Sequence, residues 1–372
     1  MRIIIYLVKL CLNAIYSLFK LKKIKGNKVV FCSRQSDDIT IDFQRIQEEL
    51  KSVDSNLQFV TICSRWQGKK DGIMKLVKAT LKSMYHMADA RACVLDGYWP
   101  AACMLKHKKE FSIVQIWHSV GKFKMSGYQT LGNEYGRSAT VAELCDMHKQ
   151  YKYIISGGEA WNPFYCEAFN VKEDVLRNYG LPRLEDLIKK SEERRKKVLE
   201  QYPEFAEKKI VLYAPTFRKG EKIHWESMAE KFLAEDEYVF ICKMHPNQEE
   251  RGYVEGVYLC PEFNTLELLS SADFVITDYS SLALEAAALD KQLYFYLFDY
   301  DNYMSKNGLN FKIKEQLPTL AHDDEEGIFK AITSDDYDFE SYERFKKEYL
   351  PDEPEKSAAK IAELIIGEMK EC

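Results

Sequence analysis

Four short stretches of this 372-residue chain set proton-transfer or phosphate-binding side chains directly after strand-like runs. In QIWHSVGKFKMSG, residues 115–127, a β-rich run ends at Trp117 and leaves His118 at its carboxyl edge, ahead of Lys122 and Lys124. An imidazole can take a proton from a hydroxyl near neutral pH, and the lysines can attract phosphate. In LYAPTFRKG, residues 212–220, Pro215 stops a strand, and Thr216 and Arg218 emerge with a hydroxyl and a rigid guanidinium fork. Arg218 suits either bidentate phosphate binding or pairing with a surface carboxylate. In ICKMHPNQ, residues 241–248, His245 follows a buried-looking strand and can polarise a phosphate oxygen or make a loop hydrogen bond. In ADFVITDYSSLALEAAALDKQ, residues 272–292, Asp278 ends a strand, Ser280 and Ser281 open a helix, and Glu285 lies within it. Amides and hydroxyls at such a helix start suit a phosphate, although Ser is also an ordinary N-cap, and Glu285 suits ribose hydroxyls.

Other chemistries lack their signatures. There is no G-x-G-x-x-G opening and no G-x-x-x-x-G-K-[ST] segment, which argues against a standard dinucleotide enzyme or P-loop NTPase. The seven histidines form no H-E-x-x-H pattern, and the ten cysteines have no C-x-x-C spacing. Neither a metal nor a resident cofactor is expected, and the cysteines read as small buried thiols of a reducing cytoplasm.

The elements that must position these residues form a repeated strand-and-helix rhythm. Strands are expected at 28–32, 59–63, 92–96, 112–117 and 151–156, then at 210–215, 238–243, 257–260, 273–278 and 292–297. Helices fit 41–51, 70–87, 139–148, 225–234, 264–271 and 280–289. The strands are continuous apolar or β-branched runs, as in largely parallel sheets covered on both faces. A charged surface helix over 187–201 separates the two halves, and helices at 339–349 and 355–370 close the chain and could cross back to the first half. In such folds ligands bind beyond the carboxyl ends of strands, where the four polar stretches fall.

Charge is uneven. Residues 1–36 hold eight basic and no acidic side chains, and the remainder has 45 basic against 58 acidic groups, net −13. A basic opening on an acidic body does not suit nucleic-acid binding, so no nucleic-acid partner is expected. Residues 3–19, IIIYLVKLCLNAIYSLF, are apolar but interrupted by Lys9 and Asn13, and a lysine cluster follows. The pattern predicts an interfacial helix on an anionic membrane surface, with a helix packed on the body or a true span as alternatives.

Together the stretches resemble the CDP-glycerol glycerophosphotransferase family, which includes teichoic acid primases and polymerases. WHSVGKFKMSG is similar to its histidine motif W-H-G-T-x-x-K-x-x-G, with Ser119 and Val120 replacing Gly and Thr and the later Lys and Gly out of step. LYAPTFR matches closely, KMHP at 243–246 resembles the second histidine motif, and ITDYSS at 276–281 the phosphate-binding segment. GLPR at 180–183 and FDYDNY at 298–303 add shorter matches. The resemblance implies an α/β, GT-B-like enzyme with two Rossmann-like domains facing a central cleft. It divides into a membrane-associating amphipathic segment (1–25), an acceptor-side domain (26–190) and a CDP-alditol-binding domain (191–372). The implied reaction moves glycerol phosphate or ribitol phosphate from CDP-glycerol or CDP-ribitol, here a donor substrate, to a hydroxyl of a lipid-linked glycan or teichoic acid precursor, releasing CMP. His118 and His245 are then the catalytic residues, with Thr216, Arg218, Asp278, Ser280, Ser281 and Glu285 binding the donor. The implied place is the cytoplasmic face of the bacterial membrane, peripheral or monotopic, in the company of other polymer-synthesis enzymes. A GT-B glycosyltransferase using a nucleotide sugar and a nonenzymatic membrane scaffold are the competing readings.

Overall fold

The computed structural model describes residues 2–65, 70–133, 136–334 and 336–370. The chain forms two compact units. The first gathers Met1–Val120, Met125–Glu185 and Pro351–Cys372, and the second Gly121–Lys124 and Asp186–Leu350.

The first unit is built on a six-stranded sheet of β1 (Lys28–Ser33), β2 (Gln58–Cys63), β3 (Ala92–Leu95), β4 (Ser112–Gln115), β5 (Tyr153–Ile155) and β6 (Leu176–Arg177). Its order is β2-β1-β3-β4-β5-β6 and every pairing is parallel. Parallel strands buried on both faces need apolar side chains at successive positions, and VVFC and ACVL are buried throughout. The second unit holds β7 (Lys209–Tyr213), β8 (Tyr238–Cys242), β9 (Phe274–Thr277), β10 (Gln292–Tyr296) and β11 (Ala321–His322), ordered β11-β10-β9-β7-β8 and again all parallel. In each sheet the chain goes outward once and then returns across its starting strand. The order therefore reverses beside β1 and β3 in one unit and beside β7 and β9 in the other, and in such sheets ligands bind at the carboxyl ends of the strands at that point.

Most expected elements are present, with four differences. VYLC at 257–260 is not a strand and contributes only an isolated bridge, Tyr258 to Ile241. The helix expected over 139–148 ends at Leu144, before Asp146 and His148 enter the left-handed region at φ 46° and 59°. The charged helix at 187–201 is two helices, Pro182–Lys189 and Ser191–Gln201, broken at Lys190. The fourth concerns the domain limits, because residues from 351 onward join the first unit rather than the second. Helix Ser357–Lys370 buries Ala358, Ile361, Ala362 and Ile365 there. Its Glu368 accepts hydrogen bonds from Ser112 Oγ at 2.7 Å and Tyr153 at 3.0 Å and pairs with Lys152.

Residues Arg2–Phe19 form one helix in the first unit, and its amphipathicity is inverted. Lys9, Asn13 and Tyr16 face protein. Lys9 pairs with Asp146, Asn13 donates to Met104 O and accepts from Lys106 N, and Tyr16, the helix's buried residue, bonds His107 Nδ1 at 2.7 Å. Ile3, Ile4, Tyr6, Leu7, Leu10 and Leu18 are exposed, Ile3 to 74%.

Candidate functional site

Each unit carries a polar cluster at its own switch point. In the first, Ser33 ends β1 and Asp96 follows β3, and the Ser33 hydroxyl donates to the Asp96 carboxylate. Burial pushes the Asp96 carboxyl up to about 6, against the hydrogen bonds from Ser33 and the Arg34 amide. Beyond β4, Trp117 takes φ 63°, a backbone region sparsely populated by large residues, and its amide is held by Gln115 Oε1 at 2.9 Å. That turn sets His118 with Nδ1 2.9 Å from the Asp96 carbonyl, while Gln35 Nε2 lies 3.3 Å from the same nitrogen. The two contacts ask for opposite tautomers, since a carbonyl oxygen only accepts and an amide NH2 only donates. The shorter, to the Asp96 carbonyl, puts the proton on Nδ1 and the acceptor lone pair on Nε2, and Gln35 then makes no hydrogen bond to that nitrogen. Trp117 stacks obliquely on the imidazole, centroids 4.1 Å apart, and packs its edge on Phe169. Farther along the motif, Gly127 has φ 60°, and a Cβ there would come within 2.2 Å of Ala168 O. Only glycine fits.

In the second unit, β7 and β9 deliver Thr216 and Asp278. The Thr216 amide donates to both Asp278 carboxylate oxygens, at 3.0 and 2.9 Å, while the Thr277 hydroxyl donates to Ala214 O. Arg218 is 5% exposed and its fork is already occupied. Nε donates to Asp299 at 2.7 Å, Nη2 reaches Asp299 at 3.1 Å and Asp278 at 3.0 Å, and Nη1 donates to Thr216 O at 2.8 Å. Its guanidinium carbon lies about 5 Å from the Tyr279 and Tyr303 rings, which stack 4.0 Å apart. Burial alone would lower its pKa, but Asp278 and Asp299 outweigh that and hold it raised. Of the two roles open to Arg218 in the sequence, the structure shows carboxylate pairing, with a buried Asp278 and a half-buried Asp299 instead of surface partners. Asp278 is equally committed, to Thr216 and Arg218.

What these two residues fix in place is Thr216, and Lys124 Nζ donates to its hydroxyl at 3.3 Å. Burial brings the Lys124 ammonium down to about 8, opposed by Asp278 and assisted by Arg218, and brings Lys122 down to about 7. Lys122 and Lys124 belong to the second unit, where Asn310 Nδ2 donates to Lys122 O at 2.9 Å and Lys124 bridges to Leu309. On the loop after β8, His245 is exposed and its Nδ1 accepts the Asn247 amide at 3.2 Å. The proton of the neutral ring is therefore on Nε2. Past β9, Ser280 Oγ accepts the Leu282 amide at 3.2 Å, whereas Ser281 occupies the N-cap of Leu282–Ala288 without a capping bond. Glu285 is buried on that helix.

The sequence reading missed Asp96, Asp299, Tyr279 and Tyr303. Asp96 carries the signal of an acid at the end of an apolar strand. The other three lie inside ITDYSS and FDYDNY, where the motifs were visible but the pairing with Arg218 was not.

Residues 14–367 match the family described as CDP-glycerol:poly(glycerophosphate) glycerophosphotransferase. The chain is 28% identical over 359 residues to the teichoic acid ribitol-phosphate primase of Bacillus spizizenii, covering 92% of this chain and 91% of that protein. It is 28% identical over 371 residues to the teichoic acid poly(ribitol-phosphate) polymerase of the same organism, covering 96% of this chain but 59% of the polymerase. The teichoic acid glycerol-phosphate primase of Bacillus subtilis is 27% identical over 263 residues, covering 68% of this chain and 67% of the primase. In fold, the wall teichoic acid polymerase TagF superposes with a TM-score of 0.75 at 18% identity, over 100% of this chain and 97% of that one. A UDP-GlcNAc 2-epimerase from Neisseria meningitidis superposes with 0.62 at 13% identity, over 91% and 100%.

Proposed function

The chain belongs to the CDP-glycerol:poly(glycerophosphate) glycerophosphotransferase family and is a transferase of alditol phosphate from a CDP-alditol in teichoic acid synthesis; we propose that His118 is the base of that transfer and His245 a hydrogen-bond donor to phosphate. The observation that carries this is the opposite proton placement on the two rings. His118 Nδ1 donates to a carbonyl, which makes Nε2 the acceptor nitrogen of the neutral ring, the kind of atom that takes the proton of the acceptor hydroxyl. His245 Nδ1 accepts an amide, which makes Nε2 the N–H nitrogen of the neutral ring, the kind of donor that a phosphate oxygen accepts from.

In the reaction the acceptor oxygen bonds to the alditol-linked phosphorus as its proton passes to His118, and the bond from that phosphorus to the CMP oxygen breaks. Catalysis of such a transfer is mostly positioning and charge neutralisation. Lys124, Thr216, Ser280 and Ser281 supply donors for the diphosphate, and Glu285 accepts from the ribose. Arg218 and Asp278 act through Thr216 as positioning residues. The acceptor is a glycan hydroxyl on a lipid-linked precursor at the cytoplasmic face of the membrane. The inverted helix Arg2–Phe19 supports that location, because its protein contacts at Lys9, Asn13 and Tyr16 hold it alongside the unit with its apolar side outward. That arrangement favours lying in the interface over spanning it.

Purified protein given CDP-glycerol or CDP-ribitol with a lipid-linked disaccharide is expected to release CMP and extend the acceptor. Turnover of a UDP-sugar with inertness toward both CDP-alditols would overturn the reading.

A further inference from the structure

We infer that helix Lys70–Met87 is a second membrane-docking element, one that seats an anionic lipid surface beside the N-terminal helix; this rests on the interfacial reading of Arg2–Phe19. The helix has three faces. Ala79, Thr80, Ser83, Met84 and Met87 point inward and are buried, and Ser83 Oγ accepts the Trp99 indole N–H at 2.9 Å. Ile73, Met74, Val77, Leu81 and Tyr85 form an outward stripe at spacings of one, three and four, with Met74 76% exposed. Lys75, Lys78 and Lys82 run alongside that stripe, all exposed, with Lys75 paired to Asp37 at 3.5 Å. A helix on a soluble surface shows charge there, not a row of five large apolar groups.

The stripe continues onto the N-terminal helix. Phe19 meets Tyr85 edge-on with centroids 5.5 Å apart, and Lys22 Nζ lies 3.6 Å from the Tyr85 ring centre and donates to Tyr85 O. Lys23 and Lys25, both exposed, follow Lys22 in the chain, and Lys75, Lys78 and Lys82 are exposed on the helix that carries the stripe. Charge decides the occupant. A second copy docking through the same face would bring these lysines against their own kind, whereas an anionic bilayer offers acyl chains to the stripe and phosphates to the lysines.

The test is co-sedimentation of the full-length protein with vesicles of phosphatidylcholine alone or with 30% phosphatidylglycerol (about physiological ionic strength). Substituting Ile73→Gln, Val77→Gln and Leu81→Gln together is expected to lower partitioning onto the anionic vesicles at least about tenfold. Lys78→Gln and Lys82→Gln should each lower it about fivefold on anionic vesicles only. All are surface changes, so thermal unfolding and transfer to a soluble acceptor analogue should be unchanged. A parallel variant, Ile3→Gln with Ile4→Gln and Leu7→Gln, tests the N-terminal helix by itself. If that variant loses binding while the helix 70–87 variants keep it, the second element is wrong and the interfacial helix stands. If neither set moves binding, both readings fall. If the triple variant changes the oligomeric state but not vesicle binding, the face joins two copies and the proposal fails.

Discussion

Two histidines follow strands in this chain, and the proton each carries separates their chemistry. His118→Ala should lower single-turnover transfer about 10²–10⁴-fold, the usual contribution of a general base, with CDP-alditol binding kept. His245→Ala should lower both transfer and donor affinity. Near-normal transfer by His118→Ala at saturating substrates would remove it as the base. Lys124 makes a second test, through protons. With its pKa near 8 in the donor-free protein, it is mostly neutral above that pH, and an arriving diphosphate restores the charged form. Donor binding at about pH 8.5 should therefore take up a proton, and affinity should fall as pH climbs through the donor-free pKa and beyond. Calorimetry in two buffers of different ionisation enthalpy measures the uptake, and Lys124→Gln should abolish it. Binding without proton exchange in the unsubstituted protein would exclude Lys124 from the phosphate site.

The elements around the second cluster are locked by buried charge. Arg218 bridges the loop after β7 to Asp278 after β9 and to Asp299 after β10, so three strand ends share one guanidinium. Asp299→Ala leaves Nε without its acceptor in a site where Arg218 is almost wholly enclosed. Breaking a buried pair on one side costs about 3–5 kcal/mol, so urea unfolding should show a loss in that range; a loss under about 1 kcal/mol would mean water replaces the carboxylate. This clamp marks where the sequence stopped being readable. Long apolar runs such as VVFC and YVFIC announced their strands, because burial on both faces leaves no room for polar positions. Two-residue strands such as Leu176–Arg177 and Ala321–His322 have no period to detect. The motifs pointed to Thr216, Asp278 and Ser280, but the partner that occupies Arg218 lies 81 residues away, and only the fold brings it there. The closing helix 357–370 was readable as a helix, yet its destination depends on Glu368 meeting Ser112 and Tyr153 in the first unit.

Across the whole molecule, net charge is distributed unevenly along the sequence. The first 36 residues carry only positive charge on top of an exposed apolar helix, while the rest is net −13. An anionic membrane therefore attracts the opening, together with the lysine row of helix Lys70–Met87, and repels the net-acidic remainder, which orients the protein as well as holding it. The two forces respond differently to salt. At about 0.1 M the Debye length is near 10 Å, and at about 1 M near 3 Å, so the lysine contribution fades while apolar insertion persists or strengthens. Binding to anionic vesicles should thus drop steeply between about 0.05 and 0.5 M NaCl and then level at the affinity for neutral vesicles. Transfer to a membrane-borne acceptor should fall in parallel, because docking raises the local concentration of both partners, while transfer to a soluble acceptor analogue should show no comparable decline. If vesicle binding ignores salt, apolar insertion alone holds the protein and the lysines have no part in it. If transfer to the soluble analogue falls as steeply as transfer to the membrane-borne acceptor, salt is acting on the phosphate site around Lys124 and not on docking.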